Sequence, residues 1–286
     1  MTLLAWLLLT PSHAADSVLT PELRQKLTEL SGEKFTQGND LRLLVNGTEF
    51  YPERLKMIRE ARRNIDILTF LWADDDAGLQ IARELVKAAA PPRRIRVRVI
   101  VDFFNSPPHS KVYATLRAGG IEPLIFNPPR WNLNLVQQHA HEKIMVVDGE
   151  KALVGGANLC DEYMTGVEQK LWHDHEMRIQ GPAAGRVQAR YDATWNWMAG
   201  LESAADYGSL FGDSHAKRRH PNYPPTPIPE EQPGTAEALY FHQQAYWRRS
   251  DGDRALEFTV SLVLAAQREI VVYDPYLIPP DGLKAA

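Results

Sequence analysis

The stretch "HAHEKIMVVDGEKALVGGAN", residues 139–158, sets His141 and Lys143 two residues apart in an apolar run that ends in Gly155, Gly156 and Asn158. In an extended strand such residues share a face, so the imidazole and the ammonium project together. Imidazole attacks electrophiles or passes protons near neutral pH. An ammonium and an amide hold anionic oxygens, and two glycines leave room for them, so the set suits a phosphate group. His139 is a neighbour of this set, and Asp102 closes an upstream strand, where it either faces the site or caps a turn. "HAH" taken with "HDH" at residues 173–175 offers a competing metallohydrolase reading. That reading leaves Lys143 and the paired glycines without a task, and no metal or other cofactor is expected.

The elements that position these residues follow from periodicity and punctuation. Asp148-Gly149 is a hairpin signal between "KIMVV" and "KALVGG". A two-residue loop at Gly149-Glu150 predicts Lys143 opposite Gly156 and His141 opposite Asn158, which gathers the three polar groups at one end. Upstream, a helix near residues 52–62, the strand "NIDILTFLW", the helix "DDDAGLQIARELVKAAA", the strand "RIRVRVIVD", a helix over Lys111–Ala118 and the strand "IEPLIF" alternate. That βαβαβ order predicts an α/β fold with a mixed, largely parallel sheet. Downstream, "HEMRI" reads as a strand and "AAGRVQARYDATWNWMAG" as a helix. Near the N-terminus, "TPELRQKLTELSG" has Thr20 as helix cap, Pro21 at the first turn and Gly32 as stop.

The spacing from His141 through Lys143, Asp148, Gly155 and Gly156 to Asn158 resembles the HKD motif of the phospholipase D superfamily. "HEKIMVVDGEKALVGGAN" is most similar to its bacterial cardiolipin synthase branch. "LWHDHEMRIQGPAA" and "VVYDPYLIPPDGL" also resemble family segments. The resemblance implies an α/β/α sandwich and metal-independent phosphodiester chemistry through a phosphohistidine. It assigns His141, Lys143, Asp148 and Asp174 to catalysis and Lys143, Gly156 and Asn158 to the substrate phosphate. Asp174 would bond and orient His141, and Asp148 would support the turn rather than touch substrate. The family uses two histidines, and this sequence holds one copy of the motif. The second is expected from a homodimer partner or from a C-terminal half missing from this sequence. The implied function is phosphatidyl transfer or phospholipid hydrolysis at a membrane surface. The alternatives are a nuclease of the same superfamily and a catalytically incomplete remnant that binds phosphate or membrane.

The 286 residues carry a net charge of −4 and 44% hydrophobic content, a globular composition with no global bias toward nucleic acid. The lone Cys160 excludes an intramolecular disulfide. Residues 1–15 resemble a signal peptide, with an apolar run from Leu3 to Leu9 and a small-residue site at Ser12-His13-Ala14 but no Lys or Arg before the run. Export to the cell envelope, periplasmic or peripheral to the membrane, is the expectation, and the alternatives are a frayed apolar N-terminus or misplaced start and a place on the cytoplasmic face. Residues 16–203 then form a first phospholipase D-like half, 204–236 a proline-rich linker, and 237–286 the start of a second half, where "AAQREIVVYDPYL" echoes "EARRNIDILTFLW". Trp131, Leu133 and Leu135 lie in a loop that either dips into lipid or packs on the core. "KRRH" at residues 217–220 either meets anionic headgroups or is a solvated linker.

Overall fold

A computed structural model describes residues 19–102, 110–126, 139–166, 171–204, 220–227, 230, 232–242 and 254–270. The expected signal peptide, the Trp131–Leu135 loop, most of the basic "KRRH" run and the strand at "VVYDPYL" lie outside them. The chain divides into two compact units, Gln37–Thr235 and a second made of Met1–Thr36 with Ala236–Ala286.

In the smaller unit, α1 (Pro21–Ser31) begins as predicted. Thr20 accepts from the Leu23 N–H at 3.2 Å, and Gly32 ends the helix at φ 69°. Its Leu27 packs with Leu19 and with Phe258 of α7 (Arg254–Ala265), and Phe241 stacks on Phe258 at 4.4 Å.

The larger unit is a sheet with helices on both faces. Its strands are β1 (Thr36–Val45), β2 (Asn64–Thr69), β3 (Arg96–Asp102), β4 (Leu124–Phe126), β5 (Lys143–Val147), β6 (Lys151–Gly155) and β7 (His175–Gln180), arranged β4-β3-β2-β5-β6-β7-β1. Alternation along each strand sorts the two faces. Ile65, Ile67, Val99, Val101, Met145 and Leu153 form one core with α2 (Gly47–Glu60), α3 (Asp76–Ala89), α4 (Lys111–Ala118) and the one-turn α5 (Asp161–Met164). The opposite face meets α6 (Pro182–Ala204), where Asp66 and Asp192 both pair with the buried Arg98. Gln188 donates to Asp66 at 2.8 Å and Tyr191 lies under the guanidinium, so this buried charge is compensated from several sides.

The α/β sandwich is as expected, but the sheet is not largely parallel. β2–β3 and β3–β4 are parallel, whereas β2–β5, β5–β6, β6–β7 and β7–β1 are antiparallel. The tight hairpin cannot join parallel strands, and β7 returns beside it, so everything from β2 to β1 alternates. β1 was absent from the sequence reading altogether.

The predicted hairpin register is also off by one. Lys143 faces Gly155, and Val147 faces Lys151. The turn holds Asp148, Gly149 and Glu150, the first two at φ 58° and 69°. Asp148 leaves the ladder because its carboxylate accepts from the backbone N–H groups of Arg62, Arg63 and Asn64 at 2.9, 2.7 and 3.0 Å. It thereby caps the entry to β2.

Candidate phosphoryl-transfer site

Reversing strand direction at β5 and β7 brings one end of many segments to the same sheet edge. The C-terminal ends of β1, β2, β3 and β6 meet the N-terminal ends of β5 and β7 there. Crevices at such strand ends are where open α/β sheets bind ligands.

Phe70, just past β2, is the residue around which the predicted groups assemble. The His141 ring centroid lies 4.7 Å from that of Phe70, the His139 centroid 5.6 Å, and the Lys143 Nζ 5.0 Å. Lys143 is buried, and its Nζ donates to the His141 carbonyl at 2.8 Å. Burial lowers its pKa to about 7, against the opposing pull of Asp174 and Asp102. An arriving phosphate oxygen would restore the full charge. His141 is exposed at one edge. Desolvation of the rest of its ring, then Lys143 and His139, lower its pKa to about 4, a shift that water at the open edge tempers without reversing. Its imidazole is therefore neutral near pH 7, with a lone pair available for attack. Between these two residues Glu142 turns the other way, to Arg190 of α6 at 2.8 Å, which anchors the segment.

Beyond Gly155 the chain leaves the hairpin and crosses to the end of β2. Leu71 N–H donates to Asn158 Oδ1 at 3.2 Å and Leu159 N–H donates to Leu71 O at 3.0 Å. That crossing, rather than the predicted cross-strand pairing, brings Asn158 beside Phe70. With Oδ1 engaged, the amide NH₂ is the donor left for a ligand oxygen. A Cβ on Gly156 would collide with both carboxylate oxygens of Asp174, and one on Gly155 with the His175 carbonyl. The paired glycines thus admit the start of β7 rather than leaving empty space.

Asp174 is held by Asn46 at the end of β1. Asn46 N–H donates to the Asp174 carbonyl at 2.9 Å, and Asp174 N–H donates to Asn46 Oδ1 at 3.3 Å. Desolvation raises the Asp174 pKa, against the His175 N–H, which donates to Oδ1 at 2.6 Å, and against Lys143. Among the described residues no hydrogen bond joins Asp174 to His141. The carboxylate–imidazole contact at the site is instead Asp102 with His139, at 3.2 Å, and Asp102 Oδ2 also accepts from the Ala140 N–H at 2.9 Å. Asp102 therefore both faces the site and caps the chain. Asp148 is not in the cluster, since it stands at the other end of the hairpin, about 17 Å along β5.

The competing metal reading finds no histidine cluster among the described residues. His173 and His175 pack edge to face on each other at 4.7 Å. The donors that do converge are Asp75, Cys160 and Glu162. Asp75 accepts from the Gly78 and Asp161 N–H groups, while burial and Glu162 push the Cys160 thiol pKa up, so these atoms are engaged in holding the fold.

The family description "Cardiolipin synthase, PLD-like domain" matches residues 55–195, a span that contains Phe70, Asp102, His139, His141, Lys143, Asn158 and Asp174. The chain carries a phospholipase D-like domain. Cardiolipin synthase B of Escherichia coli K12 is 29% identical over 251 residues, covering 85% of this chain and 55% of that protein. Cardiolipin synthase 1 of Bacillus cereus is 27% identical over 279 residues, covering 96% of this chain and 51% of that protein. The chain therefore spans about half the length of the curated relatives it matches. Among solved structures, the phospholipase D family member Nuc from Salmonella typhimurium aligns at 15% identity and TM-score 0.43, covering 55% of this chain and 95% of that one. The phosphatidylserine synthase of Haemophilus influenzae aligns at 18% identity and TM-score 0.45, covering 62% of this chain and 40% of that one. Sequence reading missed Phe70 in this domain. The available signal was its place directly after the buried run of β2, where a strand leaves the core toward a strand-end crevice.

Proposed function

We propose that the phospholipase D-like domain transfers phosphoryl groups of phospholipid phosphodiesters, in the manner of a phosphatidyl transferase or phosphodiesterase. His141 attacks phosphorus and forms a phosphohistidine while an alcohol leaves. Water or a second alcohol then takes the phosphatidyl group. Lys143 and the Asn158 amide hold the non-bridging oxygens as charge builds on them. Asp174 balances Lys143 and acts as a positioning residue, and Asp148 acts only through the fold. The observation that carries this reading is the shared Phe70 platform, where a neutral imidazole and a desolvated lysine lie against one ring. The lipid assignment draws on the cardiolipin synthase relatives. A phospholipid substrate would be met at a membrane surface; no helix among the described residues is long and apolar enough to cross a membrane. Trp172, exposed beside Asp174, offers an interfacial side chain at the same edge.

The test is headgroup release from phosphatidylglycerol vesicles with chelator present, comparing the chain with His141→Ala. Release that depends on His141 and ignores chelator is the expected result. Release that survives His141→Ala, or that chelator abolishes, overturns it. Cleavage of DNA in place of lipid would keep His141 as nucleophile and move the substrate to nucleic acid.

A further inference from the structure

Four prolines, Pro221, Pro224, Pro225 and Pro227, stiffen part of the stretch that reads as a linker, yet residues 220–227 lie docked on the larger unit. All four prolines and Asn222 are exposed, whereas His220, Tyr223 and Thr226 are the covered residues. A repeat of three is the period of a polyproline II helix, so one edge of the segment faces the protein along its whole length. Among the described residues no strand ladder ties this segment to the sheet.

The face it meets is built from α6 and β3. Asp192, Trp195 and Asn196 stand three and four apart on α6, hence on one side of the helix. Their side chains read the backbone of the segment. Trp195 Nε1–H donates to the Pro221 carbonyl at 3.0 Å. Asn196 pairs with Tyr223 twice, donating from Nδ2 to its carbonyl at 2.8 Å and accepting its N–H at 2.9 Å. Asp192 accepts the Thr226 N–H at 2.7 Å. The Tyr223 ring lies against the guanidinium groups of Arg96 and Arg98, at 5.0 and 5.1 Å, and Arg96 also donates to Thr226 Oγ1 at 3.2 Å. Side chains that read the N–H and C=O groups of an extended chain around one aromatic anchor are how peptide ligands are held, and prolines lower the entropy lost on docking.

We propose that this face of α6 and β3 is a binding site for extended proline-rich peptides that carry a tyrosine and a threonine three residues apart, filled in cis by the chain's own residues 220–227. The segment is a tethered ligand, which lifts off and returns while the sheet and α6 stay folded. Its covalent attachment to α6, which ends at Ala204, supplies an effective concentration on the order of millimolar, so weak contacts keep the site filled. This site is independent of the chemistry at His141.

Native-state hydrogen exchange on the whole wild-type chain, over a series of low urea concentrations, tests whether the segment separates. The Tyr223 and Thr226 amides should be protected at least about a hundred-fold less than those of Tyr191 and Trp195 in α6, and their rates should barely respond to urea while the α6 rates climb. Matching protection with matching urea dependence overturns the proposal, since the segment would then open only with the core. A labelled peptide of residues 220–227 tests the site itself. Thr226→Pro removes the N–H given to Asp192 and loosens the cis copy, so this variant should bind the peptide at least about ten-fold more tightly than wild type. Adding Asn196→Ala should cancel that gain. A folded Thr226→Pro protein that takes up no peptide, or binding indifferent to Asn196→Ala, overturns the proposal. Where Thr226→Pro fails to fold, the exchange measurement on wild type still decides.

Discussion

At the turn end of the β5–β6 hairpin, Asp148 commits both carboxylate oxygens to three backbone N–H groups. At the open end, Lys143 is equally buried, yet its Nζ donates to one carbonyl and otherwise faces an aromatic ring. One motif thus places a saturated polar group and an undersaturated one on the same pair of strands. Saturation converts polarity into stability, because every partner lost afterwards leaves a desolvated N–H. Undersaturation stores desolvation cost until a ligand relieves it, which is how perturbed groups come to mark sites.

The contrast breaks most sharply at His141. His141→Ala should reduce headgroup release by about a thousand-fold or more while leaving the unfolding midpoint in place. Loss of stability matching the loss of activity would mean that the open end is structural too. At the turn end the expectation inverts. Asp148→Ala should cost roughly 2–4 kcal/mol in chemical denaturation, with activity per folded molecule close to wild type.

Lys143 gives a pH signature. Its pKa is about 7 in the fold against 10.5 for the ordinary side chain, so between those values the unfolded chain holds more protons. Stability of the ligand-free protein should therefore rise with pH across that window and level off at its lowest value below about pH 7, where both states hold the proton. Lys143→Met should flatten the rise, by about 1–4 kcal/mol between pH 7 and 10, and be more stable than wild type at pH 7. Parallel denaturation curves for the two proteins would show that Lys143 titrates normally. The smallest effect is expected at Gly156→Ala. The added methyl displaces the Asp174 carboxylate, so activity should fall about ten-fold with under about 1 kcal/mol of stability change, because a side chain rather than backbone gives way.

Much of this was legible along the chain, for reasons that are local. α4 runs over Lys111–Ala118 as read, because Ser110 caps it and Gly119 stops it. The α1 boundaries follow from Thr20, Pro21 and Gly32 in the same way. The joint placement of His141, Lys143 and Asn158 was also readable, although by a different route than the hairpin arithmetic suggested. What escaped was set by contacts distant in sequence. The one-residue register slip arises because Asp148 serves β2, and nothing near Asp148 announces that partner. β1 begins with "TQGND", whose glycine and polar residues look like a turn, and its ladder with β7 starts only at the last of them, Asp40 opposite Gln180. Phe70 reads as one more apolar residue of a buried strand, and only the fold shows two histidines and a lysine around it. Asp102 could not be assigned from sequence, because its two oxygens serve both of the roles considered.

The clasp between Asn46 and Asp174 carries a consequence for the order of assembly. β5 and β6 close through a tight turn at residues 148–150 and β7 follows on the next segment of the chain, so their ladders form at lower entropic cost than pairing with the distant β1. β1 emerges long before them and finds its antiparallel partner only when Val45 meets His175. In pulse-labelled hydrogen exchange, the β5–β6 amides should gain protection before those of β1, and simultaneous protection would contradict this order. The same event that seats β1 ties Asn46 to Asp174 and brings that carboxylate against Gly156. A folding chain therefore acquires the proposed phosphate-facing edge only at the closure of its sheet, and partly folded molecules carry the motif without the Asp174 carboxylate beside it.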